Sequence, residues 1–396
     1  MVFTGKKMGN LFTKDIAVLD VTSRLISAIV GAKKAQSVFG IKAVSERACQ
    51  GYEDGEWFDE ADTIQTAKNV LIDAMRQADS RTKRLFVGVP AEFVSVVCKE
   101  VAITLDRTRK ITDDDIDYLT AKGDDFAGSG YVTVNTSVIY FLLDGQDKLY
   151  SDVRGLEGVK IEACVSYVLC KESFVRMFDE VGENLKFTDV RYIASPWAEC
   201  LGLLEKEQRD RIYMLIDVGY MSTSVALAKG DGILDLKAFS MGGAHIAGDI
   251  FEALGVSFEL AEEAKRLVDL NLNYARDAIL VSSGEEAVKA SDACEIAKSR
   301  LDLFAEIFDE IFKEVEGELP SYMEIYLTGE GVANVRGAKK YLSERLGKNL
   351  EIVAPRLPGF AKPEDSSKAS LLLMADTLNK TGFGEVIKKI FNGGKK

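Results

Sequence analysis

The chain has 396 residues, too many for one small core, so two lobes with room for an extra module are expected. Its 47% hydrophobic and 29% charged residues are those of a soluble globular protein, and six prolines without a low-complexity run argue against long disordered stretches. A net charge of −13 argues against nucleic-acid binding, and a single histidine, His245, leaves a zinc site or a Ser–His–Asp triad without support.

Residues 1–10 are polar and read as frayed. Residues 16–31 (IAVLDVTSRLISAIVG) read as an apolar strand ending in Asp20, a tight turn and a second strand. A third strand is expected at 39–48 and a turn-rich connection at 51–59. Ile64, Ala67, Val70, Leu71, Ala74 and Met75 give residues 61–78 a helical apolar face. Residues 83–90 read as a buried strand stopped by Pro90. The texture then changes: alternating strands at 93–97, 132–141 and 159–165 flank one short helix, announced by Thr112 and the acidic run Asp113, Asp114, Asp115. That run reads as a solvated helix start, and the whole as an inserted α+β module. A helix at 172–181 and a strand at 189–194 follow. A crossing helix comes next at 196–204, with Ser195 as its cap and Pro196 in its first turn.

Residues 212–230 (IYMLIDVGYMSTSVALAKG) repeat the first hairpin, now with Asp217 at the strand's end. A Gly-Gly turn into a helix follows at 238–254, then helical spacing at 261–268, a strand and turn at 279–286 and a long amphipathic helix at 294–315. Residues 324–337 read as strand, glycine turn and helix start, 349–354 as a strand and 368–378 as an apolar helix. Cys49, Cys98, Cys164, Cys170, Cys200 and Cys294 form no CxxC pair and read as reduced, buried thiols. No apolar run reaches spanning length, and the first residues lack a signal-peptide core.

A duplicated strand–Asp–turn–strand unit points to two half-domains facing a cleft, where two carboxylates can hold hydrated Mg²⁺ and turn amides can hold phosphates. The alternative is that each aspartate caps its own turn. His245 reads as a local hydrogen-bonding or packing group at a helix start.

These segments, in this order, resemble the actin/Hsp70/hexokinase ATPase superfamily, and within it the FtsA family of bacterial cell division. The superfamily resemblance rests on both hairpins, the helix after Ser195-Pro196, the strand–turn Leu327-Thr328-Gly329 and the last apolar helix. The FtsA part rests on residues 55–59, 144–163 and 242–250 and on the chain's end. The fold this implies is an actin-like two-lobed α/β ATPase fold of duplicated ribonuclease-H-like units, with a small inserted α+β 1C subdomain. The first lobe (1A) would span 12–84, completed by 167–204, with 1C at 85–166. The second lobe (2A) would span 205–245, completed by 321–365, with 2B at 246–320. Residues 366–379 would form the last core helix and 380–396 a basic tail.

By resemblance, nucleotide would be held by Asp20, Thr22, Ser23, Asp217, Gly219, Ser222, Thr223, Gly242, Gly243, Glu262, Lys265, Gly329 and Gly331, with Mg²⁺ held through water by Asp20 and Asp217. The turns depart from the family pattern. Asp20-Val21-Thr22-Ser23-Arg24 stands for Asp-Ile-Gly-Thr-Ser, Tyr220 and Met221 stand for glycines, Ser224 for an aspartate and Glu330 for a glycine. Bulk at these points enters the space where backbone amides approach phosphates. Two readings stand: ATP and Mg bound in altered turns, with at most slow hydrolysis, or a degenerate pocket in a scaffold.

In the tail, Phe383, Val386, Ile387, Ile390 and Phe391 form one apolar face, with Lys388 and Lys389 off it and five lysines against one glutamate over 380–396. On an anionic leaflet each lysine contributes about 1 kcal/mol. The five apolar side chains add roughly 4–7 kcal/mol before ordering costs. The alternative is a last helix docked on the chain's own core. The resemblance implies a cytoplasmic protein, peripheral on the inner face of the cell membrane at the division site. It would polymerise with itself and link the C-terminal peptide of FtsZ, alongside other division proteins, to the bilayer. The rivals are a non-nucleotide adaptor of another envelope machine, of the PilM type, and a small-molecule kinase, for which no catalytic aspartate is found.

Overall fold

The computed structural model describes residues 15–33, 39–315 and 323–380. The first apolar run forms β1 (Ile16–Val21), buried along its length, and returns as β2 (Leu25–Lys33) and β3 (Phe39–Ala48). A two-residue-strand hairpin, β4 (Tyr52–Glu53) and β5 (Glu56–Trp57), leads to α1 (Glu60–Gln77). Asp59 caps α1 by accepting the Asp62 amide, and the helix buries Ala67, Val70, Leu71 and Ala74. Then come β6 (Arg84–Val89), β7 (Val94–Lys110), α2 (Asp113–Lys122), β8 (Tyr131–Leu143) and β9 (Glu157–Lys171). The chain continues through α3 (Glu172–Asn184), β10 (Asp189–Ala194), α4 (Ser195–Leu203) and α5 (Lys206–Arg209). The second half holds β11 (Tyr213–Val218), β12 (Thr223–Lys229), β13 (Gly232–Phe239), α6 (Gly243–Leu254) and α7 (Phe258–Leu267). It closes with β14 (Ile279–Ser283), β15 (Glu286–Lys289), α8 (Ala290–Val315), β16 (Glu324–Thr328), α9 (Ala338–Leu346), β17 (Leu350–Ile352) and α10 (Ser366–Lys380).

The sequence repeat is a fold repeat. One five-stranded sheet runs β3-β2-β1-β6-β10 and the other β13-β12-β11-β16-β17. In both, three antiparallel strands are followed by two parallel ones. Even the register repeats: Asp20 sits opposite Ser27, and Asp217 opposite Ser224. A three-stranded antiparallel sheet, β7-β9-β8, forms the inserted module, with its own core around Ile161, Val165 and Leu119.

Helices α4 and α10 lie between the two five-stranded sheets. Trp197, Ala198, Leu371 and Leu372 share one core with Ile16, Val18 and Phe86 of the first sheet and Tyr213, Leu215 and Tyr326 of the second. The helices touch closely: a Cβ on Gly202 would come within 2.9 Å of the Ser370 backbone.

Three expectations are corrected, and one strand, β13, fills residues between the second hairpin and the Gly-Gly segment to which the sequence assigns no element. Ser195 is the first helical residue rather than the cap, which is Ala194, and its Oγ is buried without a hydrogen-bond partner. Asp115 is buried and held by both Arg109 guanidinium nitrogens at 2.6 Å, so the acidic run is only partly solvated. Of the cysteines, which are free thiols, Cys170, Cys200 and Cys294 are buried, whereas Cys49, just past β3, and Cys98 and Cys164, on β7 and β9, are half-buried.

Candidate nucleotide cleft

Both sheets deliver an aspartate to the same cleft. Asp20 ends β1 and is buried; Ser367 Oγ at the start of α10 donates to its Oδ1 at 2.6 Å. Burial lifts Asp20 to about 6, against the pull of Ser367 and Lys368. Asp217 ends β11, and its Oδ1 is buried with no hydrogen-bond partner. Burial, then the charges of Glu330 and Asp20, lift it to about 7. Neither aspartate caps its turn. In the first turn that work falls to Thr22, whose Oγ1 donates to Leu25 O and accepts from Leu25 N. In the second, Gly219 N donates to Ser222 O at 2.9 Å.

A third carboxyl group was not foreseen. Glu199 on α4 is 1% exposed, and its Oε1 is buried without a partner. Burial, then the charge of Asp217, raises it well above the carboxylate range, against a hydrogen bond from Ser366. The signal was present: Glu199 lies one helical turn from Ser195 and interrupts the apolar Trp197, Ala198, Cys200 and Leu201. Among the described residues no three acidic, histidine or cysteine side chains are placed to ligate a metal directly.

The other predicted residues gather around the two turns. Gly243 N donates to Gly219 O at 2.9 Å, and Gly331 N to Val218 O at 2.7 Å. Gly242 N donates to His245 Nδ1 at 3.1 Å, the local role expected of that histidine. Gly329 takes φ +92°, and a Cβ there would collide with Asp217 Oδ1. The Thr223 hydroxyl is taken by the backbone next to Gly242, donating to Met241 O at 2.6 Å. Ser222 lies beside Tyr52 and Glu92 of the first lobe, where it works against the burial that raises both. Glu262 and Lys265 are both buried and bond each other at 3.0 and 3.1 Å. Burial lowers Lys265, with Glu262 opposing.

The lobes meet across this cleft. Ser23 Oγ of the first turn accepts from Met221 N of the second at 3.2 Å. Arg24 Nη1 reaches Glu330 Oε2 at 3.0 Å, with its guanidinium carbon 4.7 Å from the centroid of the Tyr220 ring. Lys265 Nζ stands 5.5 Å from the same ring. Nearby, Asp54 N donates to Ser240 Oγ at 3.0 Å.

Tested against MgATP, these residues do not fit. The Met221 amide is taken by a hydroxyl of the opposite lobe, and Tyr220, Arg24 and Glu330 fill the space beside both turns. The glycines are accounted for without a ligand: a Cβ on Gly242 or Gly331 would strike Tyr220 O or Gly219 O, not open space. The tail residues Phe383, Val386, Ile387, Lys388, Lys389, Ile390 and Phe391 lie outside the described residues.

A sequence profile of the family described as "Cell division protein FtsA" matches residues 214–370. The cell division protein FtsA of Bacillus subtilis (strain 168) is 21% identical over 373 residues, 90% of this chain and 82% of that protein. That of Streptococcus pneumoniae serotype 2 is 23% identical over 377 residues, covering 91% and 80%. Among solved structures, a chain of the PilM-PilN type IV pilus biogenesis complex superposes with a TM-score of 0.60 at 17% identity, covering 91% of this chain and 98% of that one. MreB5 of Spiroplasma citri bound to AMPPNP gives 0.54 at 12% identity, covering 96% and 99%. The fold is therefore the actin-like ATPase fold, and the chain is similar to FtsA cell-division proteins over most of its length at low identity.

Proposed function

We propose that this chain is a cell-division adaptor of the FtsA type, which docks the C-terminal peptide of FtsZ on one side and an anionic membrane surface on the other. The observation that carries the reading is the module β7–α2–β8–β9. It is set between β6 and α3, where the resemblance puts the 1C subdomain, and the similarity to FtsA runs through it. Membrane attachment rests on the tail's apolar face and its lysines. Such a short helix binds weakly alone, so self-association through lobe surfaces would add avidity. No helix among the described residues is long and apolar enough to cross a membrane.

A second reading, an actin-fold adaptor of another envelope machine, is favoured by the filled cleft, which an adaptor working without nucleotide would tolerate. One experiment tests and separates them. The full chain is sedimented with phosphatidylglycerol-containing vesicles, and its binding to an FtsZ C-terminal peptide is read by anisotropy. The first reading expects both to bind, with vesicle binding lost in Ile387→Glu and the peptide unaffected. Vesicle binding without peptide binding favours the second. Vesicle binding unchanged by Ile387→Glu removes the tail from either.

A further inference from the structure

We propose that the cleft of this chain takes no MgATP, and that its own side chains form the bridge between the lobes that the fold otherwise gives to a nucleotide. The bridge is Arg24 set between the Glu330 carboxylate and the Tyr220 ring, with the Ser23–Met221 hydrogen bond beneath it.

Three independent observations converge. The first is contact. The two turns that would have to be separated by phosphates touch directly, hydroxyl to amide. The second is charge. A triphosphate needs cations, yet each cation described here beside the cleft is already matched. Arg24 pairs with Glu330, Lys265 with Glu262, and Lys368 with Glu46 and Asp365. An entering polyanion would meet Glu330 and Glu262 with no free positive group. The third is shape. Gly242, Gly243, Gly329 and Gly331 lack side chains because backbone or Asp217 occupies that space, so they leave no cradle for a ligand. The lobes are also tied at Asp54–Ser240, outside the phosphate region, so closure does not depend on one contact.

The chemistry of the bridge is specific. Arg24 gives Glu330 a counter-charge and lays its flat guanidinium on an aromatic face, which a lysine ammonium does less well. Lys265 Nζ stands 5.5 Å from the other part of this bridge, the Tyr220 ring, which brings the Glu262–Lys265 pair alongside it. One continuous polar strip thus runs from the first-lobe turn to α7.

The test is amide hydrogen exchange on the full chain, read at residues 19–25 and 217–223, with and without millimolar MgATP or MgADP. Wild type should show no slowing by either nucleotide. Arg24→Ala should speed exchange in both turns ~10-fold or more, and Glu330→Gln should do so more mildly. The swapped pair Arg24→Glu/Glu330→Arg should return exchange to within ~3-fold of wild type. Exchange in the β7–β9 sheet should stay constant and so report that each variant is folded. Nucleotide slowing either turn ~10-fold in wild type would overturn the proposal, because the cleft would then take the ligand. Unchanged turns in both single variants would overturn it too, because Arg24 would then hold nothing. Neither result bears on vesicle or FtsZ-peptide binding, so this proposal can fail while the adaptor reading stands.

Discussion

Asp217 and Glu199 are carboxyl groups set where the fold gives them little to bond. An unfolded Asp217 loses its proton near its ordinary value of 3.8, whereas burial holds the proton in the folded chain to about 7. Between those values the folded state binds more protons. Stability therefore falls as pH rises through this window, and the cost is complete above it. Asp20, lifted to about 6, acts in the same direction over a narrower range. Asp217→Asn should accordingly be more stable than wild type at pH 8 by on the order of 2 kcal/mol, and the gain should vanish near pH 4. Urea unfolding at several pH values checks this; an equal difference at pH 5 and pH 8 would mean that Asp217 is ionised throughout. The Arg24–Glu330 pair is different, since about a third of each side chain is exposed. Such a pair contributes about 0–1 kcal/mol alone, and the ring contact adds about 0.5–1 kcal/mol. Arg24→Ala should thus cost only ~1–2 kcal/mol of global stability in thermal melts, even though it frees both turns.

At the scale of elements, α2 shows how one side chain organises a module. Asp115 Oδ2 accepts from Thr112 N and Thr112 Oγ1 at 2.9 and 2.8 Å, closing the capping box. The Arg109 side chain beside it holds the Asp115 carboxyl well below the usual range. Asp115→Ala should cost about 1–2 kcal/mol and raise exchange in α2 and the end of β7 while sparing both five-stranded sheets. Capping box and helix were legible because Thr112 and the acids precede Ile116 and Leu119 at helical spacing. The strands beside them were read short. β7 runs on through charged Asp106, Arg107, Arg109 and Lys110, because one face of this antiparallel sheet is open to water and tolerates charge. β13 was missed for a related reason: Asp235 and Lys237 break its apolar pattern, since those positions are only half-buried. The aspartate hairpins were legible because both faces are covered, which leaves continuous apolar runs ending in a single acid. Within the cleft, the sequence named the bulky residues, Arg24, Tyr220, Met221 and Glu330, as obstacles. Their mutual bonding depends on two turns some 200 residues apart meeting, which no local pattern encodes.

For the molecule as a whole, the decisive feature is that α4 and α10 belong to both lobes. Their shared core draws on the first sheet, the second sheet and both helices, so neither lobe can lose it without the other. Gly202 is a tight point of that arrangement, where α4 meets α10. On an exposed helix, replacing glycine by alanine adds up to about 1 kcal/mol of stability. Here the new methyl would press on the Ser370 backbone at 2.9 Å, and overpacking of that kind costs about 1–3 kcal/mol, so the sign reverses. Gly202→Ala should destabilise, and Gly202→Val more so, since its larger side chain meets the same backbone. The chain's two tryptophans make the consequence measurable, because Trp197 lies in the shared core and Trp57 in the first lobe's aromatic cluster with Phe93 and Phe174. In single-tryptophan variants of the Gly202→Ala chain, both probes should report one transition at the same lowered temperature. If Trp197 moves and Trp57 does not, the lobes unfold separately. The shared helices would then be a contact between two independent domains rather than the core of one.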